Sequence, residues 1–352
     1  MANRIPVLID TDFALDDWMA ILYLLMNPAV EVIGITTTGV GASHLGPATT
    51  NVLDLLAYAG RPDIPVASGT NAPLSYSNVF PGDWRQQVDS TYGIPFPRNP
   101  NGPQPLSAVE FLTRTLRHAK TPVTILSIGG ATNLAMLFES APNVAANIAG
   151  IYVMGGALQA PGNVQGFNPD YNNTVAEWNI FIDVLAAQRV FQNKLRPSPP
   201  ITLVPLDASN CVPLDIAFYS ALMWFVANPT SEAPRAALTA IFAGLSTQLS
   251  SITATPSTEY FFWDPLAAVV LTDSQVVLTT QRTPLTVAQQ LNESQDTSGR
   301  TEPTSSGPNI NVVMTVDPVR VKVRFLATIA GVSEEKAARV LGMVTPGSAS
   351  AA

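Results

Sequence analysis

The stretch PVLIDTDFALDD, residues 6–17, joins the pattern of a buried strand to a cluster of carboxylates. Its first four residues are apolar, and its acidic half falls where a strand would give way to a helix. Asp10, Asp12, Asp16 and Asp17 lie within eight residues of one another, and carboxylates this close repel unless something neutralises them. Because hard cations prefer oxygen ligands, the stretch predicts a Ca²⁺ or Mg²⁺ site.

Outward from this stretch, short apolar runs alternate with helical patterns over the first 210 residues. The predicted strands are residues 7–9, 32–35, 64–67, 123–128, 151–154 and 201–206, and the predicted helices are residues 16–26, 47–59, 105–119, 132–139 and 179–193. This alternation predicts an α/β fold with a mainly parallel, doubly wound sheet and helices on both faces. Further helices are predicted at 214–227, 234–249, from about 264, and at 333–340, with strands at 311–315 and 319–323.

We expect residues 1–345 to form one domain, because no linker or internal repeat divides them. Two stretches, residues 70–104 and 159–176, are predicted to be long loops of the kind that form lids or binding sites. Residues 293–308 are predicted to be a surface excursion, and residues 346–352 a disordered tail.

The composition excludes several classes of function. The chain has 352 residues and a net charge of −8, which offers no electrostatic footprint for nucleic acid or an anionic membrane. Cys211 is the only cysteine, so an internal disulfide and a cysteine-built zinc site are excluded. We expect a cytoplasmic protein, because the sequence shows neither a signal peptide nor an apolar window of ~18 residues.

The polar loops follow predicted strands. In open α/β sheets, ligands bind beyond the carboxyl ends of the strands. Residues 10–17, 36–41, 129–133, 155–156 and 207 all fall at such ends. The pattern therefore predicts that these loops face one crevice.

Single motifs leave structural alternatives open. Asp16 and Asp17 suit the first turn of a helix, although this explains neither Asp10 nor Asp12. Asp264 before Pro265 fits a helix start equally well. An EF-hand is excluded because its glycine and terminal glutamate are absent. A haloacid-dehalogenase-type phosphatase also has Asp-x-Asp after a strand, but with Thr or Val where this chain has Ala14.

Taken together, the motifs resemble those of the nucleoside hydrolases, the Ca²⁺-dependent N-ribohydrolases. The matching pieces are the aspartate string at 10–17, Gly-Gly-Ala-Thr-Asn at 129–133, Met-Gly-Gly at 154–156, Gly-Asn at 162–163, Ala-Glu-Trp-Asn at 176–179 and Asp-Pro-Leu-Ala at 264–267. Their order is that of the family, and the resemblance covers roughly residues 5–330.

The resemblance implies a role for each matching position. Ca²⁺ would be held by Asp12, Asp17, the backbone carbonyl of Thr132, and Asp264. Asp12 would deprotonate a water on the metal, which then attacks the anomeric carbon. Asp16 would bind the 2′-hydroxyl of the ribose, and Asn179 with Asp264 the 3′-hydroxyl. Glu177 and Asn163 would lie on the 3′ and 5′ side of the sugar. Met154, at its strand end, would also contact the substrate, and Asp10 would support the cluster from behind.

The side that receives the base resembles the purine-preferring branch of the family. Trp263 stands where many pyrimidine-accepting members have a histidine, and Trp84 lies in the long loop. Two indoles would stack on a purine base. The chain differs from the family at residues 39–41, which lack the usual acidic or amide side chain. One assignment stays open, because Asn172 or Asn173 could take the sugar-binding role given to Asn163.

We therefore expect a Ca²⁺-dependent purine nucleosidase of purine salvage, without an organic cofactor, and a homodimer or homotetramer as in the family. One alternative is a nucleoside- or ribose-binding protein that has lost turnover. The other is a Mg²⁺-dependent phosphatase, which the departure at Ala14 disfavours.

Overall fold

The computed structural model describes residues 4–253, 260–289 and 295–344. The predicted tail at 346–352 lies outside the described residues, as do the first two residues of the predicted excursion at 293–308. The domain boundary at residue 345 stays a prediction. In the described part of the chain, no helix is both long enough and apolar enough to cross a bilayer.

The predicted α/β fold is confirmed. An eight-stranded sheet has the order β3-β2-β1-β4-β5-β6-β10-β7, and β8 pairs with β9 in a separate ribbon. Every pairing from β3 to β10 is parallel, and only the edge strand β7 runs antiparallel. The strands are β1 (Ile5–Thr11), β2 (Val30–Thr37), β3 (Val66–Ser68), β4 (Val123–Ser127), β5 (Ile148–Met154), β6 (Ile201–Val204), β7 (Val277–Thr283), β8 (Leu285–Val287), β9 (Thr301–Pro303) and β10 (Ile310–Val316).

Helices cover both faces of this sheet. They are α1 (Leu15–Met26), α2 (Leu45–Tyr58), α3 (Gly82–Asp89), α4 (Ala108–His118), α5 (Thr132–Ser140), α6 (Val164–Phe167), α7 (Trp178–Phe181), α8 (Val184–Phe191), α9 (Leu206–Ser209), α10 (Ile216–Ala227), α11 (Glu232–Thr247), α12 (Leu249–Thr253), α13 (Trp263–Thr272), α14 (Pro318–Ala330) and α15 (Glu334–Val344).

The alternation of side chains in β1 explains the two layers of helices. Val7 and Ile9 are buried in one apolar cluster with α1, α13 and α14, whereas Leu8 between them is buried in a second cluster with α4, α5 and α8. Successive residues of a strand point to opposite faces. A strand with buried apolar residues on both faces therefore needs a helical layer on each side.

The order of the strands fixes where a ligand binds. From β1 the chain builds outward through β2 to β3, and from β4 it builds in the opposite direction through β5 to β6. The sheet thus reverses direction between β1 and β4, and such a switch point leaves a crevice at the carboxyl ends of the strands. The acidic stretch that follows β1 lies at this crevice.

One predicted strand is wrong. Residues 319–323 alternate between Val and basic residues, but they belong to α14. Asp317 caps this helix by accepting hydrogen bonds from the backbone N–H groups of Val319 and Arg320, both at 3.0 Å, and Pro318 occupies the first turn. Lys322 lies on the buried side and donates to Asp215 at 2.7 Å, so the helix buries a charge that has a partner.

Candidate active site

One cavity at the carboxyl ends of the strands collects most of the predicted site residues. They come from the loop after β1, from the long loops after β3 and β5, and from the starts of α1, α7 and α13. The predicted residues that line it are Asp12, Asp16, Asp17, Trp84, Met154, Asn163, Glu177, Asn179, Trp263 and Asp264.

The turn between β1 and α1 depends on an unusual backbone conformation. Phe13 has φ = 65°, in the left-handed region that costs a non-glycine residue roughly 1–2 kcal/mol. Its N–H donates to the Thr11 hydroxyl at 3.0 Å, and its side chain is fully buried. The turn brings Asp12 and the first residues of α1, Asp16 and Asp17, to the same cavity.

The loop after β2 holds Asp12. The Ala42 N–H donates to Oδ2 of Asp12 at 2.7 Å, and the Ser43 hydroxyl donates to the Asp12 backbone carbonyl at 2.5 Å. At Gly41 a Cβ atom would stand 1.8 Å from the same Oδ2. The loop therefore holds Asp12 through a backbone N–H and a serine hydroxyl, and residues 39–41 contribute no acidic or amide side chain to this contact.

Three carboxylates form a cluster beside Asp12. Asp16, Asp17 and Asp264 each place an oxygen within 4.8 Å of the others. Asp17 accepts hydrogen bonds from the Thr11 hydroxyl and from the Ala14 N–H. Within the described residues, Oδ1 of Asp264 is buried without a hydrogen-bond partner. A buried, unpartnered carboxylate oxygen among other carboxylates fits a cation site, and oxygen-only ligands suit a hard cation.

Burial alters the acidity of the whole group. It raises the pKa of Asp12 to about 6 and that of Asp16 to about 7, in Asp16 with a further contribution from the charge of Asp12. It also raises the pKa values of Asp17 and Asp264 well above their ordinary value, and neighbouring carboxylates add to the effect. Without a cation, the cluster therefore holds protons near neutral pH.

Glu177 caps a helix and lines the cavity at the same time. Its carboxylate accepts hydrogen bonds from the N–H groups of Gly156 (3.0 Å), Asn179 (2.9 Å) and Ile180 (3.2 Å). Burial raises its pKa to about 7, partly offset by these hydrogen bonds. Glu177 therefore serves both as the cap of α7 and as part of the cavity lining.

The two asparagines at the cavity are fixed by the backbone. Nδ2 of Asn179 donates to the Met154 carbonyl at 3.3 Å and lies 3.5 Å from that of Ile128. Oδ1 of Asn163 accepts from the Trp178 N–H at 3.1 Å. Asn173, the proposed substitute for Asn163, instead supports its own loop: it donates to the Ser298 carbonyl at 2.8 Å.

Two predicted residues lie outside the cavity lining, among the residues that the structure describes. The Thr132 hydroxyl donates to Asp183 at 2.6 Å, and the residue that reaches the cavity from the end of β4 is Ile128. Asp10 is fully buried behind the site and accepts hydrogen bonds from Thr36 (2.6 Å) and Asn133 (2.7 Å).

Aromatic residues that the motifs did not predict complete the wall. Phe80, Phe167, Trp178 and Tyr260 line the cavity together with the two predicted tryptophans. Phe80 stacks on Trp178 with ring centroids 4.2 Å apart. The aromatic run at residues 260–263 was a usable signal for Tyr260. Phe80 lies in a loop and Phe167 ends the four-residue helix α6, and neither stretch has a periodic pattern.

The sheet order and the carboxylate-lined cavity define an α/β protein with an acidic site at its topological switch point, whose carboxylates could hold a metal ion. Residues 7–323 match the family described as inosine-uridine preferring nucleoside hydrolase. The chain belongs to this family, which confirms the resemblance seen in its motifs.

Two relatives of similar sequence are both named as pyrimidine-specific. The chain is 35% identical over 235 residues to the pyrimidine-specific ribonucleoside hydrolase RihA of Klebsiella pneumoniae, a match that covers 64% of this chain and 68% of that protein. The match to RihA of Salmonella agona, at 36% identity, covers 58% of this chain and 61% of that protein.

Solved structures share the fold over nearly the whole chain. A plant nucleoside hydrolase superposes with a TM-score of 0.76 at 26% identity, covering 92% of this chain and 98% of the plant protein. A purine-preferring ribonucleoside hydrolase from Gardnerella vaginalis superposes with a TM-score of 0.74 at 24% identity, covering 93% and 98%; this second match shows the fold alone.

Proposed function

We propose that this protein hydrolyses the N-glycosidic bond of ribonucleosides to a free base and ribose, with Asp12 as the general base. One observation carries the proposal. Asp12 and the cluster of Asp16, Asp17 and Asp264 line the same cavity, and the remaining wall of that cavity is aromatic. Cleavage of this bond develops positive charge on the sugar, which carboxylates stabilise.

A Ca²⁺ ion is the proposed cofactor, held by Asp12, Asp17, Asp264 and a backbone carbonyl. The carbonyl is reassigned from Thr132 to Ile128, because Ile128 lines the cavity at the end of β4. When bound, the ion would orient and acidify the attacking water and bind the ribose diol. Asp16 belongs to the same compact cluster, but it is the only one of the four that is not fully buried, so we assign it to the ribose 2′-hydroxyl.

The remaining polar residues are proposed to bind and orient the sugar. Glu177 and Asn163 would face its 3′ and 5′ side, and Asn179 with Asp264 its 3′-hydroxyl. Because Glu177 and Asn179 are already fixed by backbone hydrogen bonds, little ordering is needed when the substrate binds. Asp10 would support Asn133 and the strand end, without contact with the substrate.

Two candidates remain for the base. Stacking on Trp84 and Trp263, which both line the cavity, favours a purine, and purine salvage is then the expected role. Similarity to pyrimidine-specific RihA at 35% identity favours a pyrimidine. A panel of inosine, guanosine, adenosine, uridine and cytidine, assayed for released reducing sugar, decides between them.

The decisive variant is Asp12→Ala. We expect hydrolysis of every nucleoside in the panel to fall by a factor of at least ~10⁴, because the base is lost along with a cation ligand. Asp63→Ala, which removes an exposed carboxylate, is the matched control and should retain full activity. Addition of a chelator to the unchanged protein should imitate Asp12→Ala, and added Ca²⁺ should reverse the effect.

The alternatives give different results in the same assay. A binding protein without turnover would bind ribose and release no base from any nucleoside. A Mg²⁺-dependent phosphatase would release phosphate from sugar phosphates. Unimpaired hydrolysis by Asp12→Ala would contradict the proposed mechanism.

A further inference from the structure

Phe167 occupies the space between the two tryptophans of the base side. Its ring centroid lies 5.3 Å from that of Trp84 and 5.9 Å from that of Trp263, with interplanar angles of 77° and 74°. The ring therefore meets both indoles edge to face, and it lines the cavity together with them. A base stacked between the two indoles would have to share this space with Phe167.

The segment that carries Phe167 is held together where its two ends meet. Residues 162–176, which we call the arch, leave β5 and return to α7. The backbone closes the arch through the N–H groups of Gly162, Asn163 and Gln165, which donate to the carbonyls of Thr174 (2.7 Å), Ala176 (3.0 Å) and Asn173 (3.0 Å).

The anchors of the arch leave the ring of Phe167 partly free. Val164, at the start of α6, is fully buried among the aromatic residues, whereas Phe167 at the end of the same helix is only half-buried. Because the backbone is held on both sides, the position of the ring depends on its own side-chain rotation rather than on displacement of the arch.

From this geometry we propose that Phe167 is a specificity-determining residue that limits the size of the base. This inference rests on the proposed nucleoside hydrolysis and refines it. A purine has two fused rings and a pyrimidine has one, so the volume that Phe167 occupies between the indoles is more costly to a purine. Binding of the sugar is not affected by Phe167, because Asp16, Asn163 and Glu177 lie on other elements or at the ends of the arch.

The test is the ratio of kcat/KM for inosine to kcat/KM for uridine. Phe167→Ala should raise this ratio roughly tenfold or more, since a change in pocket volume discriminates substrates by such factors. Phe167→Trp should lower the ratio, because the larger ring leaves less room. These two variants act in opposite directions, so a folding defect in one of them does not remove the test.

Tyr171→Ala is the matched control. Tyr171 is another aromatic residue of the arch, packed edge-on against Trp178 at 5.9 Å, but it is not among the described residues that line the cavity. Its loss should leave the inosine to uridine ratio unchanged. A ratio that stays within about twofold in both Phe167 variants, or that shifts equally in Tyr171→Ala, would overturn the proposal.

A binding measurement separates this proposal from the proposed function. Quenching of tryptophan fluorescence by free hypoxanthine and by free uracil reports on the base side without any hydrolysis. Phe167→Ala should tighten hypoxanthine relative to uracil even if no nucleoside is cleaved. If the unchanged protein hydrolyses nucleosides but Phe167→Ala keeps the same base preference, only the role of Phe167 is contradicted. If no nucleoside is hydrolysed but Phe167→Ala alters the base preference, only the proposed function is contradicted.

Discussion

At the scale of single residues, the position of Asp12 depends on the absence of a side chain elsewhere. Gly41 lies so close to the carboxylate that any other residue would overlap with Oδ2 of Asp12, and Gly129 approaches the backbone of Asp12 from another strand end, where a Cβ atom would stand 2.8 Å from the Asp12 nitrogen. Two glycines thus define the space for one acid. Their role is steric, because neither has a positive φ.

This proximity gives a prediction for Gly41→Ala. The new methyl group would displace the carboxylate, and a misplacement of about 1 Å costs roughly 100-fold in rate, so kcat should fall by about that factor while the fold is retained. The measurements are steady-state kinetics and thermal unfolding. Gly46→Ala is the control, because a Cβ atom there meets nothing within 4 Å, and it should leave kcat unchanged.

The sequence predicted the site residues where motifs follow directly on strands. Asp12, Asp16 and Asp17 come immediately after β1, and the sheet order alone brings them to the crevice. Within the described residues, Thr132 does not line the cavity whereas Ile128 at the end of β4 does, and the motif alone does not distinguish these two positions. Phe167 was not predictable, since its position depends on the backbone path of the arch.

At the scale of elements, α3 connects the aromatic wall to Asp12, the proposed general base. It carries Trp84 and, next to it, Arg85, whose Nη2 donates to the carbonyls of Gly39 (2.7 Å) and Ser43 (2.8 Å). These residues flank the segment that holds Asp12. The positive charge of Arg85 also lowers the pKa of Asp12 against the larger, opposing effect of burial.

Arg85→Met should therefore affect more than the packing of α3. Loss of the two hydrogen bonds should loosen the Asp12 loop and reduce kcat about tenfold, a typical effect of residues that orient a catalytic group. Loss of the charge should raise the pKa of Asp12, so the acid limb of the kcat/KM profile should move to higher pH. Arg98→Met removes an exposed guanidinium that pairs with the buried Asp54 and does not line the cavity, so it should change neither quantity. An unshifted acid limb in Arg85→Met would contradict the electrostatic part.

The sequence pattern predicted the wrong secondary structure for α14. Its Val-basic alternation favours a strand, but a capping aspartate, a proline in the first turn and the pairing of Lys322 with Asp215 make the helix the better solution. Local alternation was outweighed by a tertiary ion pair. The helix α3 was missed for a related reason: it is short, polar and mostly exposed, so it has no strong apolar periodicity.

At the scale of the whole molecule, the buried carboxylates link stability to pH. Folding raises the pKa of Asp12 and Asp16 from 3.8 to about 6 and about 7, so the folded protein binds more protons than the unfolded chain in this window. The cation-free protein should therefore lose stability as the pH rises through about 4 to 7, because stability falls where the folded state holds the extra protons. The raised pKa values of Asp17 and Asp264 act in the same direction.

Thermal unfolding at about pH 5 and about pH 8 measures this linkage. With a chelator, the Tm should be lower at the higher pH. With Ca²⁺ the order should reverse or the difference should vanish, because the cation replaces the protons and stabilises the fold by about 2.7 kcal/mol at a concentration of about 100 Kd. The same Tm with and without Ca²⁺ at both pH values would argue against a cation site.

The backbone closure of the arch has a consequence for how this family of folds changes its substrates. Because hydrogen bonds join residues 162 and 163 to residues 174 and 176, the ends of the arch stay fixed whatever length of chain lies between them. Residues 166–172 lie beyond the three hydrogen bonds that close the arch, so this shorter segment can change in length or sequence while Asn163 and Glu177 keep their places. Under the proposed function, the side chains assigned to the nucleobase could therefore change without displacing those assigned to the sugar.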